Sequence, residues 1–320
     1  IRVIYSDKMP YHTYENPLFG RTCFLLAHIA YPFGMYELYK LGLTQGFIVF
    51  IVALTYDIMG GFGITCGAHR LWSHKSYKAN NVFKTILMLL NTIAFQGEIY
   101  YWVRDHRVHH KYSDTLADPH DYSRGFWFSH FGWLWKERTQ ECKEALYSVP
   151  MKDIKNDKIV MFQMKYYIYL AVTLRIIIPF LIGYFMTNNI YVGLYFNVCV
   201  MWCHSLHHTF LVNSASHKPE WGKRPYDPDI YPGDNILTII LALGEGHHNF
   251  HHSFPFDYSS SEFGWKNTFN PSKWFIDFAA KQGWVTQRLR WKLKPNSPNK
   301  LKENFKKHII NGYNKLNNDP

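Results

Sequence analysis

The 320-residue sequence has no CxxC pair, no GxGxxG loop and no HPGG-like haem segment. It therefore lacks the fingerprints by which a chain holds its own nicotinamide, flavin or haem redox group. Its five cysteines, Cys23, Cys66, Cys142, Cys199 and Cys203, are too sparse for a disulfide scaffold, and three fall inside apolar runs. They read as small packing residues in a reducing setting. The chain opens at Ile1-Arg2-Val3 without a methionine or a signal-peptide pattern, so its true start is expected upstream. No internal repeat is evident, and the tail 294–320, rich in Lys, Asn and Pro, reads as solvated. The formal charge of +11 is not gathered into a basic arm. Basic residues are interleaved with aromatics and histidines, which disfavours nucleic acid and leaves anionic lipid or an anionic substrate.

What is present is apolar and aromatic: 47% hydrophobic and 18% aromatic residues, with a mean hydropathy of -0.24. That combination suggests a membrane protein with a substantial polar portion. Four stretches are read as spans, at 18–39, 46–66, 166–186 and 190–212; the turns within the first and second pairs are short, so each pair forms a hairpin. The stretches 82–95 and 236–243 are too short or too polar to span, since crossing takes roughly 20 apolar residues, and they read as interfacial or buried helices. The expected fold is an all-α membrane protein, two transmembrane hairpins under a cytosolic helical cap. Its parts are an N-terminal segment 1–17, a hairpin 18–66, a polar region 67–162, a hairpin 163–212, a polar region 213–293 and the tail 294–320. Lys75, Lys78, Arg104, Arg107, Lys111, Lys136 and Arg138 load the 67–162 loop, while the short turns carry almost no basic residues, which places that loop in the cytosol.

Histidine carries the chemistry. Three boxes, His69-Arg-Leu-Trp-Ser-His74, His106-Arg-Val-His109-His110 and His248-Asn-Phe-His251-His252, supply eight imidazoles. A neutral imidazole offers one ring nitrogen as ligand while the other donates a hydrogen bond, so these groups suit first-row transition metals rather than calcium or magnesium. On a helix, positions i, i+3 and i+4 share one face, so each HxxHH is a three-toothed comb. His69 and His74, five apart, would point about 140° apart on a continuous α-helix, so a helix end or kink is expected between them. Eight ligands exceed what one tetrahedral zinc uses, and two metal ions sharing the set is the economical reading.

With those residues in view, the chain resembles the membrane-bound acyl-CoA desaturases of animals, close to the stearoyl-CoA type. The resemblance runs from about 60 to 265. It rests on the boxes within Gly-Ala-His69-Arg-Leu-Trp-Ser-His74 and Trp102-Val-Arg-Asp-His106-Arg-Val-His109-His110-Lys, together with Ala117-Asp-Pro-His120 and Leu211-Val-Asn213-Ser-Ala-Ser-His217. Arg224-Pro-Tyr-Asp227, Gly244-Glu-Gly and the run from His251-His252-Ser-Phe-Pro to Asp257-Tyr258 complete it.

The resemblance implies a di-iron enzyme of the endoplasmic reticulum membrane, its site facing the cytosol, that uses O2 and two electrons to unsaturate a fatty acyl-CoA. It implies His69, His74, His106, His109, His110, His217, His248, His251 and His252 as ligands, with Asn213 acting through a water. His217 comes from the resemblance and not from box spacing. The resemblance also implies a bent acyl tunnel lined by Gln96, Trp102 and Thr209, with Arg104 and Asp105 at the polar acyl-CoA end. Lys136 and Arg138 stand near the family's basic pair, with Glu137 between them. The electron donor would be a separate cytochrome b5, reduced by NADH-cytochrome b5 reductase. Position 9 is the default site of the double bond; other positions, or hydroxylation by a related histidine-box enzyme, are the alternatives.

Several polar residues fall outside that scheme. His204-Ser-Leu-His207-His208 satisfies HxxHH, but it lies in the last turns of a span and is read as hydrogen-bonded rather than as a fourth ligand set. His247 is read as a neighbour of the third box. His12, His28, His120, His130 and His308 are read as structural or surface groups, His120 and His130 with a place behind the ligands. Asp57 sits mid-span, about 18 Å along a continuous helix from His69. It is read either as the far end of the acyl tunnel or as a partner of Arg175.

Overall fold

The computed structural model describes residues 17–264 and 267–291, and its regular structure is almost entirely helical. The N-terminal segment to residue 16 and the tail from 292, with His12 and His308, lie outside the described residues. Helix α1 (Pro17–Lys40) covers the first expected span and turns through Leu41 into α2 (Gly42–Phe62). Without a break α2 winds on as a π-helix over Gly63–Ser73, giving 32 continuous residues. The expected second span ended at residue 66, one turn and a half short of this.

Among the described residues, two continuous helices are long and apolar enough to cross a membrane: Gly42–Ser73, and Lys158–Thr187, which passes through a π-turn at Val172–Ile177. The other two expected spans are also helical, as α1 and as Val192–Val200 running into Met201–Ser214. They carry Arg21 and Glu37 on one and His204, His207 and His208 on the other, and neither reaches that apolarity. The helices meet through small residues, as membrane helices do where backbones approach closely. A Cβ on Gly34 of α1 would stand 2.7 Å from the Tyr195 backbone, and one on Gly183 would stand 2.7 Å from Gly193.

Helix α3 (Asn81–Ala94) covers the first ambiguous stretch and buries one face. The Asn80 side chain caps it by accepting from the Phe83 amide at 3.0 Å. Phe83, Leu87, Leu90 and Ala94, spaced along one face, are buried. It stops at Phe95, whose φ of 53° is left-handed. Helix α4 (Ile99–Tyr112) then departs at 84°, so α3 and α4 do not form one straight span. Gln163 ties the corner: it accepts from the Ile99 amide at 2.9 Å and donates to Asn91 at 2.9 Å. The second ambiguous stretch is a six-residue helix, Ile236–Leu241, with Ile236, Leu237 and Ile240 exposed on one face and Thr238 and Ile239 buried.

Beyond the hairpins, short helices at Gln140–Ser148, Lys152–Asn156, His248–Ser253 and Pro271–Lys281 pack with α3 and α4. The strand Lys78–Ala79 pairs antiparallel with Val285–Thr286. A core of Cys66, Leu71, Phe83, Leu87, Ile99, Val103, Val108, Val160 and Ile276 fixes the elements that carry the first two boxes. Burial of such side chains contributes about 1.5–3 kcal/mol each before entropy is counted.

Candidate metal centre

The first box lies on the π-wound end of α2. A π-helix bonds i to i+5, so residues five apart stack along one face instead of diverging. The His74 amide bonds the His69 carbonyl at 3.2 Å, and the two rings meet edge to face at 4.9 Å. The helix does end between them, at Ser73, but the winding before that point is what aligns the pair. Gly63 permits it: a Cβ there would fall 2.0 Å from the Asn91 amide of α3.

All nine expected ligand histidines converge, in two groups. His69, His74, His106, His110 and His251 bring one nitrogen each within 4.8 Å of one another, and so do His109, His217, His248 and His252. The two HxxHH combs are not each given to one group. The i, i+4 pair His106/His110 joins the i+3 tooth His251 of the other comb, while the pair His248/His252 joins the i+3 tooth His109. The reason is helical geometry: i and i+4 point nearly the same way, and i+3 falls to the other side of them. Two facing combs therefore interleave, and His69 with His74 completes one group as His217 completes the other.

The facing atoms are Nε2. The separations are 2.8 Å for His74–His106, 2.9 Å for His69–His251 and His110–His251, 3.0 Å for His217–His248 and 3.1 Å for His248–His252. Two metal–nitrogen bonds of about 2.1 Å at right angles put their nitrogens about 3 Å apart. So many buried lone pairs turned inward cannot be satisfied by bonds among themselves, and a cation at each centre satisfies them together. Burial, followed by the charges of neighbouring histidines, pushes His74, His248, His251 and His252 well below the usual imidazole range. Neutral rings are the form that binds metal. The donor set fits a pair of first-row metal ions.

Carboxylates hold the other ring nitrogens. Nδ1 of His69 lies 3.0 Å from Glu245, that of His109 2.9 Å from Asp118 and that of His217 2.9 Å from Asp114. Each pair fixes which nitrogen faces inward and raises its basicity. Glu245 is itself held by the buried Arg70 at 2.7 Å. Burial alone would raise Asp118, but the charge and hydrogen bond of His109, with His120 behind, hold it at about 2. His109, Asp118 and His120 also lie within ligand distance of one another. Asp118 is already committed to His109, which makes this trio a support for the second group. The sequence reading missed all three acids. Asp118 and Glu245 sit inside motifs quoted for the resemblance, whereas nothing local distinguishes Asp114.

The remaining expected residues are placed as follows. Asn213 lies on the last turn of Met201–Ser214, four residues before His217. Trp102 stacks on His106 at 4.9 Å, and Gln96 donates to Thr209 at 2.8 Å. Asp105 is buried and held by Arg104 at 3.1 Å and Arg138 at 2.6 Å, while Lys136 is exposed. Asp57 meets Arg175 at 3.3 Å, the partner named by the second of its two readings. His247 bonds Thr268 at 2.8 Å, and His204 bonds Tyr31 at 2.9 Å. His207 lies between His28 and His130. Each has a hydrogen-bonding partner outside the two ligand groups.

A family model for fatty acid desaturases matches residues 45–264, which hold all three boxes. The chain belongs to the fatty acid desaturase family. It is 44% identical over 283 residues to the acyl-CoA Delta-9 desaturase of Acheta domesticus, covering 87% of this chain and 77% of that one. It is 42% identical over 252 residues to the stearoyl-CoA desaturase of Homo sapiens, covering 77% and 68%. A Delta(9)-fatty-acid desaturase of Caenorhabditis elegans is 42% identical over 286 residues, covering 88% and 81%. In this desaturase all nine histidines of the two groups lie within the matched residues.

Proposed function

We propose that this desaturase introduces a double bond, at position 9, into a saturated fatty acyl-CoA at a di-iron centre. The interleaving of nine histidines into two groups carries the reading; the Delta-9 names of two relatives at 42–44% identity supply the position, and the acyl-CoA and stearoyl-CoA names the substrate class. Bound iron would supply the activation of O2 needed to break an unactivated aliphatic C–H bond.

The chain's own residues do the rest. His69, His74, His106, His110 and His251 would hold one ion, and His109, His217, His248 and His252 the other, with Asn213 completing the smaller set through a water. Glu245, Asp118 and Asp114 keep the Nε2 atoms turned inward. Trp102, against His106 and edge-on to His69, would press the acyl chain toward the metals and exclude water. The Gln96–Thr209 pair would set the bend of the chain. Asp105 orders Arg104 and Arg138, whose guanidinium groups, with Lys136, suit the phosphates of coenzyme A.

The topology consistent with one shared site is four spans, with every box on the cytosolic face of the endoplasmic reticulum membrane. Cytochrome b5, reduced by its NADH-dependent reductase, would deliver the electrons, since the chain carries no redox fingerprint of its own. Expression in yeast lacking its own desaturase, with double bonds located by mass spectrometry, tests this. Δ9 monounsaturated acyl chains and growth without added unsaturated lipid are expected. Hydroxylated product, or no product from an iron-loaded protein, would contradict the reading.

A further inference from the structure

A second histidine system lies between α1 and Met201–Ser214, outside both ligand groups. His28 Nδ1 is 2.7 Å from the Phe24 carbonyl, and its Nε2 is 2.9 Å from His207 Nε2. His207 Nδ1 is 3.0 Å from His130 Nε2, and His130 Nδ1 is 2.8 Å from the Ser214 hydroxyl. The donors can be assigned from one end. A carbonyl only accepts, so His28 carries its proton on Nδ1 and presents a bare Nε2. His207 must then donate from Nε2 and accept at Nδ1, and His130 must donate from Nε2. His130 Nδ1 is left facing Ser214.

Ser214 has one hydroxyl proton and two acceptors, because its Oγ is also 2.8 Å from the Phe210 carbonyl. Turned to His130, it leaves all three imidazoles neutral. Turned to Phe210, it accepts from a proton on His130 Nδ1, and the row of rings holds one proton more. Rotation of one buried hydroxyl thus changes the proton content of a continuous, directed chain of rings.

The two ends lie in different places. The outer end opens in a cleft lined by His28, Tyr31, Pro32, Cys203, His204 and His207. The inner end, Ser214, is fully buried, follows Asn213 directly and accepts the His217 amide on its carbonyl at 3.3 Å. Imidazoles within membrane helices commonly mark proton pathways.

We propose that His28, His207, His130 and Ser214 form a proton relay that supplies the buried metal centre from the cleft. The inference rests on the desaturase reading. In that reaction a CH2–CH2 unit, O2, two electrons and two protons become CH=CH and two waters. The substrate gives up two hydrogens, the electron-carrier protein supplies the electrons, and the two further protons must be brought into a buried site.

The test uses the full-length, iron-loaded enzyme with a saturated acyl-CoA and reduced cytochrome b5. His207→Gln keeps a donor and an acceptor but cannot pass a proton between ring nitrogens. It should keep parental iron content and KM for acyl-CoA, lose about 10-fold or more in kcat, and show a larger solvent deuterium isotope effect. Free imidazole entering the open cleft should restore His207→Ala while leaving the parent unstimulated. An iron-replete His207→Gln with parental kcat and isotope effect would overturn the relay, and so would loss of iron from it. Should that variant fail to fold, His28→Gln at the cleft carries the same measurements. A parent that yields no unsaturated product defeats the desaturase reading and the relay with it. A parent that desaturates beside unchanged variants defeats the relay alone.

Discussion

At the scale of single residues, the acids behind the histidines decide how well the site is formed. Glu245 spans His69 and Arg70, both buried. Glu245→Gln removes the charge that orients His69 and leaves Arg70 without its counter-ion. Metal affinity should fall about 10–100-fold, with iron per chain after dialysis as the readout. Loss of one partner of a buried pair should also cost on the order of 3–5 kcal/mol in stability. A pH dependence follows from the ligands themselves. His74, His248, His251 and His252 are held neutral in the fold, while in the unfolded chain they take up protons near 6.5. Below that pH the unfolded state binds more protons, so the stability of the metal-free protein is lost as pH falls through about 6.5. Thermal melting of chelator-treated protein at pH 7.5 and 5.5 should show the lower midpoint at the lower pH.

At the scale of elements, the π-winding of Gly63–Ser73 and the buried pairing of helices are the devices to perturb. Gly63→Ala sets a methyl against the Asn91 backbone of α3, and overpacking of this kind costs about 1–3 kcal/mol. His69 and His74 would be displaced together, so iron content and melting temperature should fall in step. Asp57→Ala strands the buried Arg175 mid-helix and should destabilise the protein. Adding Arg175→Leu should recover most of that loss, and chain-length preference should be unchanged throughout, as measured by product analysis across acyl-CoA lengths. The three boxes were legible because metal ligation demands particular residue types at recurring spacing, whereas His217 was reached only through the resemblance. The i+5 alignment of His69 with His74 was not legible, because an HxxxxH spacing reads as divergent on an α-helix and only tertiary contact with α3 reveals the wider winding. Asp114 was invisible for a similar reason, since it meets His217 from 103 residues away.

At the scale of the molecule, two facing combs exchange their middle teeth, and each histidine group draws on both polar regions, 67–162 and 213–293. Neither polar region alone can build a complete group, which couples metal binding to closure of the whole fold. Hydropathy made the four long helices legible, two of them long and apolar enough to cross a membrane. The stretch 82–95 was legible as an interfacial or buried helix, but its 84° bend into α4 was not, because it depends on contacts far away in sequence. Only packing against α2 and the Gln163 tie reveals it. The most direct test of this arrangement is an anomalous density map of the iron-loaded protein recorded at the iron absorption edge. The account predicts two peaks, one ringed by His69, His74, His106, His110 and His251 and the other by His109, His217, His248 and His252. A single peak, or a peak ringed by all three histidines of one HxxHH box, would contradict it.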